Sequence, residues 1–357
     1  MSAQLRIVLD QVSQIVDPDL ASASLDLAAG LVDTAPRDCT VGAIVPGGAE
    51  VDIAGLDDVR ALSGGRRELA AAWQLGFAPG VGGGLIHAPT LMAPLVRHDR
   101  LHDNDQTTVT LWDLRAWEAP ELLSKTSVAW QRGMLRRAVK HADAVVVPSH
   151  AIAERLAEIA TLGERIRVIA GAPPRGFAAP VDDVGRRRTL GLPERFAVVV
   201  GDPAAMTPAF RAVATAGLDA VVLDAVEGAE PAIADAAAAA GLAEGRAHVR
   251  GALEERDRAA VLAGAEGVLA PGAVAAWPWR VVEAMALGAA VIAVDSGVHR
   301  DVIADGGLLA SAEDFADAAA AAFADRTERL RVLSADRGRA FSWSSTAERV
   351  WALHAEL

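Results

Sequence analysis

The chain has 357 residues, 52% of them hydrophobic and 23% charged, a balance that suits about two ordinary domains with large buried cores and excludes a disordered protein. A formal net charge of −13 argues against nucleic acid or an anionic membrane surface as the main partner. The single Cys39 rules out an internal disulfide, and without a signal-like leader or a long apolar run a cytoplasmic protein with no transmembrane segment is expected.

Strands and helices alternate from the start. Residues 5–9 (LRIVL) read as a buried strand closed by Asp10, and Asp17-Pro18 opens a helix through Leu20, Leu25, Leu27 and Leu31. CTVGAIVP gives a second strand and residues 66–75 a second helix. Gly80–Gly84 is a flexible loop before the short strand LIHAP; it lacks the spacing of a phosphate loop and the Lys-Ser/Thr that should follow. The strand TTVTLWDL ends on Trp112 and Asp113. A long helix, the buried strand AVVVPS and a helix with Ser149 as candidate N-cap come next. After IRVIAGAPP, the Pro/Gly/Arg-rich segment 171–188 reads as an interdomain linker.

The second half repeats the pattern. Strands at FAVVVG, DAVVLD, RAHVRG and EGVLAP alternate with helices at 208–216, PAIADAAAAAGL and EERDRAAVLAGA. A Pro/Trp turn at Trp277 leads into a short apolar helix ended by Gly288, the strand AAVIAV and a polar turn of Asp295, Ser296 and Gly297. Helices at 312–323 and 326–336 follow, then an amphipathic tail helix opened by a Ser/Thr-rich cap. This alternation predicts an α/β protein of two Rossmann-like domains with parallel sheets and right-handed crossovers. Ligands of such sheets sit at the carboxyl ends of the strands. Glu283, read as lying at a helix start, is by itself explained better by the helix dipole than by a binding role.

Glu283-Ala284-Met285-Ala286, with Gly288 and Val291-Ile292-Ala293, resembles the signature E-A-M-A-x-G-x-P-V-[IV]-A of glycosyltransferase family 4. HAPTLMAPL, Asp113, LRRAVKHADAVVVPSHAIAERL, LGLPERFAVVVG and the FSW of the tail resemble further segments of that family in the same order. The resemblance therefore runs along nearly the whole chain. It implies the GT-B architecture: an acceptor-side domain over 1–172, a nucleotide-sugar-side domain over 173–336, and a helix at 337–357 crossing back to the first. Parallel sheets would face each other across a cleft. It also implies transfer of a sugar from a nucleotide-sugar to a hydroxyl of a glycan or small-molecule acceptor, with retention and without metal or other cofactor. The protein would position the reactants and stabilise charge on the leaving diphosphate.

Carried over residue by residue, Asp113 falls at the catalytic position, and Glu283, Arg280, Gly201 and Gly297 at donor-binding ones. Glu283 would hold the ribose hydroxyls, while Arg280 would substitute as a phosphate partner, with Arg175, Arg211 and Arg300 as further candidates. The departures are concentrated in the same places. The first-domain glycine loop is Val16-Asp17-Pro18-Asp19, the strand-end histidine is Trp112, and the basic clamp after Gly201 is replaced by Asp202, Met206 and Thr207. Ala275 stands where the family has a second glutamate, and its glycine-rich turn is Trp277-Pro278-Trp279, in which Pro278 has no N–H. Trp112, Trp117, Trp277 and Trp279 would line the cleft, where indoles stack on sugars or anchor partners; core packing explains Trp112 equally well and Trp277, read as a loop residue, less well. His87 and His299 lack metal-ligand spacing and read as hydrogen-bonding residues. No strand is followed by G-x-G-x-x-G, which argues against an oxidoreductase. Two functions stand: an active glycosyltransferase, or a catalytically impaired relative that acts as scaffold or partner of an active glycosyltransferase or senses a glycan.

Overall fold

The computed structural model describes residues 3–98 and 105–357. It divides into two compact units, the first taking in Met1–Pro174, Val274–Trp277 and Phe341–Leu357, the second Arg175–Ala273 and Pro278–Ala340.

The first unit begins with β1 (Ala3–Val8), α1 (Pro18–Asp33), β2 (Cys39–Val45), β3 (Asp58–Ala61) and α2 (Arg66–Leu75). It continues through β4 (Leu85–Ala88), β5 (Gln106–Thr110), α3 (Arg115–Glu118), α4 (Lys125–His141), β6 (Ala144–Val147), α5 (His150–Ile159) and β7 (Ile166–Val168). All seven strands run parallel in the order β3-β2-β1-β4-β5-β6-β7. Leu5, Ile7, Ile44, Val109 and Val145 lie in its core, as continuous apolar strands of a two-sided sheet require. The edge strand β3 has no such signature: all four of its residues are exposed.

Local chemistry sets the helix boundaries. Asp17 caps α1, its Oδ1 accepting the N–H groups of Asp19 and Leu20 at 3.1 Å each. The long helix expected after β5 is broken at Pro120, which begins a single 3₁₀ turn, and Ser124 then caps α4 through the Ser127 N–H at 3.1 Å. The glycine loop at 80–84 wraps around arginine. Arg6 donates to the Val81 and Gly83 carbonyls, and Arg60 donates to Val81 O at 3.1 Å. Carbonyls directed at guanidiniums are the opposite of a phosphate cradle.

In the second unit, α6 (Asp183–Thr189), β8 (Phe196–Val199), α7 (Thr207–Thr215), β9 (Asp219–Val222), α8 (Glu230–Ala239) and β10 (Ala247–Val249) come first. Then follow α9 (Glu255–Gly264), β11 (Val268–Ala270), α10 (Trp279–Ala286), β12 (Val291–Val294), α11 (Gly297–Ile303) and β13 (Leu308–Ala310), with α12 (Phe315–Asp325) and α13 (Thr327–Gly338) last. Six parallel strands order as β10-β9-β8-β11-β12-β13. Part of the expected linker is α6, held by Arg186 on Asp182 and Arg187 on Asp183, and tied to α9 by Arg186 on Asp257. Gly288 turns the chain out of α10 at φ +67, where its missing Cβ matters.

Helices α10 and α13 approach closely enough to need another glycine. A Cβ on Gly338 would stand 2.5 Å from the Met285 carbonyl oxygen and 2.7 Å from its carbon. Backbone atoms cannot swing aside, so Gly338→Ala is expected to destabilise the second unit by about 1–3 kcal/mol. A thermal midpoint equal to that of the unaltered protein would contradict this packing.

The last helix, α14 (Trp343–Glu356), belongs to the first unit. Ser342 caps it, Trp351 Nε1 donates to Leu31 O on α1 at 3.1 Å, and Trp343 Nε1 donates to Pro173 O at 2.8 Å. Beneath it lies a buried polar chain. His87 Nδ1 is 2.7 Å from Thr108 Oγ1, which is 3.2 Å from His354 Nε2, and His354 Nδ1 is 2.9 Å from Gln106 Oε1.

Candidate functional site

At the carboxyl ends of β1, β4 and β5 the first unit holds a cavity of about 640 Å³. Asp17 at the start of α1, Arg66 at the start of α2, Trp130 on α4, and Trp112, Asp113 and Arg115 after β5 all line it. Asp113 is fixed twice by its neighbour: Oδ1 accepts the Arg115 N–H and Oδ2 a guanidinium N–H, each at 2.9 Å. Burial works against the Arg115 charge, yet the hydrogen bond and charge of Asp113, with Asp17 and Asp19 nearby, raise its pKa above the usual value. Burial pushes the Asp17 carboxyl up. It does the same to Asp10, which lies behind the wall and takes hydrogen bonds from Arg66 Nε at 2.9 Å and Thr90 Oγ1 at 3.1 Å. Carboxylates, guanidiniums and indoles around one cavity suit a polyhydroxylated ligand.

Two of the four expected cleft aromatics, Trp112 and Trp277, form part of a buried cluster. Trp112 donates to Pro89 O at 2.7 Å and packs against Trp277 with ring centroids 6.4 Å apart, while Trp277 meets Phe341 edge-on at 5.7 Å. Trp279, in the second unit, is half-buried in the first turn of α10. The segment before α10 is sewn to the end of β5. Trp277 N–H donates to Trp112 O at 2.9 Å, Leu114 N–H to Ala275 O at 2.8 Å, and Asp113 and Ala276 form an antiparallel bridge. The Ala276 N–H is also taken, by Val274 O at 2.8 Å.

The strand ends of the second unit carry Glu283, Arg280 and Gly201. Glu283 lies in the second turn of α10, so the helix dipole does not account for it. Its carboxylate, 1% exposed, is gripped by Arg258, with Nε at 3.1 Å from Oε1 and 2.9 Å from Oε2 and Nη2 at 2.9 Å from Oε1. Arg280 Nη1 reaches the same Oε1 at 3.1 Å. On its other edge Arg280 holds Asp224, through Nε at 2.7 Å from Oδ2 and Nη2 at 3.4 Å from Oδ1. Phe177 lies 5.8 Å below the Arg258 guanidinium. Gly201 follows β8 at φ +114, with no atom within 4 Å of where a Cβ would be. Asp202 beside it accepts the Ala204 N–H at 3.0 Å.

Gly297 is the first residue of α11, which Ser296 caps, and not part of a free turn. Arg300 pairs with Asp295, Arg175 and Arg211 are exposed, and His299 Nδ1 is 2.8 Å from Val294 O. Arg258 and Asp224 went unnoticed in the sequence, as did Arg66 and Arg115. An arginine directly before the buried run Ala259–Leu262, in a helix beside a buried glutamate, was the available signal. Among the described residues no group of three or more His, Cys, Asp or Glu could hold a metal ion, and no helix is long and apolar enough to cross a membrane.

Two parallel sheets with crossover helices, each presenting its strand ends to a site, are the GT-B glycosyltransferase fold. Residues 198–327 match the family model of the Glycosyl transferases group 1, the family that the Glu283 signature resembles. Sucrose-phosphate synthase from Thermosynechococcus elongatus superposes with a TM-score of 0.68 at 17% identity, over 99% of this chain and 98% of that one. Anabaena HepE, solved with UDP and glucose, gives 0.65 at 17% identity over 99% and 100%. The catalytic domain of starch synthase IV from Arabidopsis thaliana, bound to ADP and acarbose, gives 0.64 at 14% over 99% and 99%. A comparison with the curated proteins finds no match.

Proposed function

We propose that the protein is a glycosyltransferase-like binding protein: it takes a saccharide in the first unit's cavity, transfers sugar poorly or not at all, and serves as scaffold or partner of an active glycosyltransferase. The observation that carries this reading is the segment at 274–277. The resemblance implies that the turn before α10 gives its backbone N–H groups to a donor diphosphate, but here the N–H groups of Ala276 and Trp277 are engaged by Val274 O and Trp112 O, and Pro278 has none. Three further features support it. Both Glu283 oxygens are occupied by arginine. Asp202 stands where a basic clamp is implied, and a carboxylate there repels a diphosphate. Asp113 has both oxygens engaged by Arg115, so the geometry turns it toward its own neighbour.

The open approach at Gly201 favours a second reading, residual transfer with retention and without metal. Titration calorimetry with UDP, ADP, GDP and dTDP at low salt separates the two. The binding-protein reading expects no micromolar complex with any of them. Micromolar affinity for one would overturn it, name the donor class and direct a turnover assay.

A further inference from the structure

Charge is spread unevenly over the first unit. Helix α4 carries five cations, Lys125, Arg132, Arg136, Arg137 and Lys140, in 17 residues. No Asp or Glu occurs between Glu121 and Asp143, in a chain whose net charge is −13. Both lysines of the chain are on this one helix. The helix dipole favours Lys140 in the last turn but opposes Lys125 in the first, so it does not account for the set. Arg132 and Arg137 donate to the carbonyls of Ala116 and Leu95. Among the described residues neither these two nor Lys125 and Arg136 form an ion pair.

Helix α2 lies alongside and parallel. Trp130 Nε1 donates to Ala70 O at 3.4 Å, a Cβ on Gly133 would stand 2.6 Å from Gln74 Nε2, and one on Gly76 would stand 2.7 Å from Arg137 Nη2. The end of α2 therefore meets α4 at Arg137, with Arg136 just before it and Lys140 one turn further on. Trp73 is buried on the inner face of α2, while Arg67, Ala71 and Leu75 recur along its outer face, all exposed. Leu75 and Phe77, on either side of Gly76, are 73% and 67% exposed. Among the described residues Phe77 is the only Trp or Phe that is exposed. Glu68, the one acid on α2, is turned back onto the Gly65 N–H.

We propose that the outer faces of α2 and α4 dock together on an anionic lipid surface, Leu75 and Phe77 entering among the headgroups and Arg136 and Lys140 resting on the phosphates. Cations strung from Lys125 to Lys140 span about 22 Å of helix, which suits a continuous plane of negative charge better than a single small anion. Apolar side chains that protrude beside them enter the soft interface of a bilayer, and the two contributions add. The net charge of −13 argues against such a surface for the molecule as a whole, but charges more than about 8 Å away are screened at physiological salt. The basic face therefore decides, and repulsion of the acidic ones orients the approach. Nothing here depends on whether either unit binds sugar or nucleotide.

Co-sedimentation of the full chain with vesicles tests this. Binding is expected to vesicles of equal parts phosphatidylcholine and phosphatidylglycerol, weakening as salt is raised, and not to phosphatidylcholine alone. Arg136→Gln/Lys140→Gln is expected to weaken binding at least about tenfold, from roughly fivefold for each cation removed. Leu75→Ser/Phe77→Ser is expected to weaken it by about tenfold or more. Arg326→Gln/Arg339→Gln removes the same charge from exposed positions of the second unit and should leave binding unchanged. Equal binding to both kinds of vesicle would overturn the proposal, as would full binding by either of the first two variants or an equal loss in the third. Absence of binding to either vesicle overturns it too, and retention on heparin in that case would assign the face to a soluble polyanion. Far-ultraviolet circular dichroism of each variant confirms that it is folded.

Discussion

Between pH 7 and pH 5 the protein is expected to lose about 4 kcal/mol of folding stability through two imidazoles, His87 and His354, at about 1.4 kcal/mol per pKa unit per group. Burial pulls the His87 pKa down from 6.5 to about 3, with His354 adding to the shift, and burial alone pulls His354 down to about 4. Both rings are neutral in the folded chain and protonate near 6.5 once unfolded. Below that pH the unfolded state binds two protons that the folded state refuses, so stability falls with pH until the folded values are reached. Asp10, whose carboxyl burial raises, acts in the opposite sense. Every tryptophan except Trp279 belongs to the first unit, so tryptophan fluorescence in a guanidinium titration reads the relevant unit. His354→Gln should lose about half as much between the two pH values, since one of two titrating rings is gone. If it loses as much as the unaltered protein, the acid sensitivity originates elsewhere.

Arg258→Met is expected to cost the second unit about 3–5 kcal/mol, because it strips a buried carboxylate of its main partner. In a unit of this size that lowers the thermal midpoint by roughly 10 °C. The double variant Arg258→Met/Glu283→Gln should recover a good part of the loss, the buried charge having been removed with its partner. Circular dichroism during heating measures both. Additive losses in the double variant would show that Arg258 stabilises through its stacking on Phe177 and not through Glu283.

Much of the fold was legible because its signals are local. Asp17-Pro18, Ser149 and Ser342 mark helix starts through side chains that accept the first free N–H groups, and apolar runs such as Ala144–Val147 can be little else than strands buried on both faces. What escaped had no local signature. β3 is an exposed edge strand, and Asp183–Thr189 is helical through arginine–aspartate pairs in a segment whose composition suggests a linker. The site was half legible in the same sense. Glu283 and Arg280 could be singled out, but their partners Arg258 and Asp224 lie 25 and 56 residues upstream on other elements. Trp277 read as a loop residue free to meet ligand because nothing in its neighbourhood reveals that β5 captures its backbone.

The assignment of 274–277 and 341–357 to the first unit has a consequence for modularity. The chain changes unit at 174/175, 273/274, 277/278 and 340/341, so neither half corresponds to one uninterrupted stretch of gene. A fragment ending at Pro174 contains all seven strands of the first sheet but lacks the Trp277 indole and the whole of α14. Trp112, His87 and Leu31 would then lose the groups that cover or bond them. Recombination between relatives at that boundary would join a sheet to a foreign tail helix, and such chimaeras should be selected for matching tails before matching sites. Inheritance of the first unit is therefore tied to the far end of the gene.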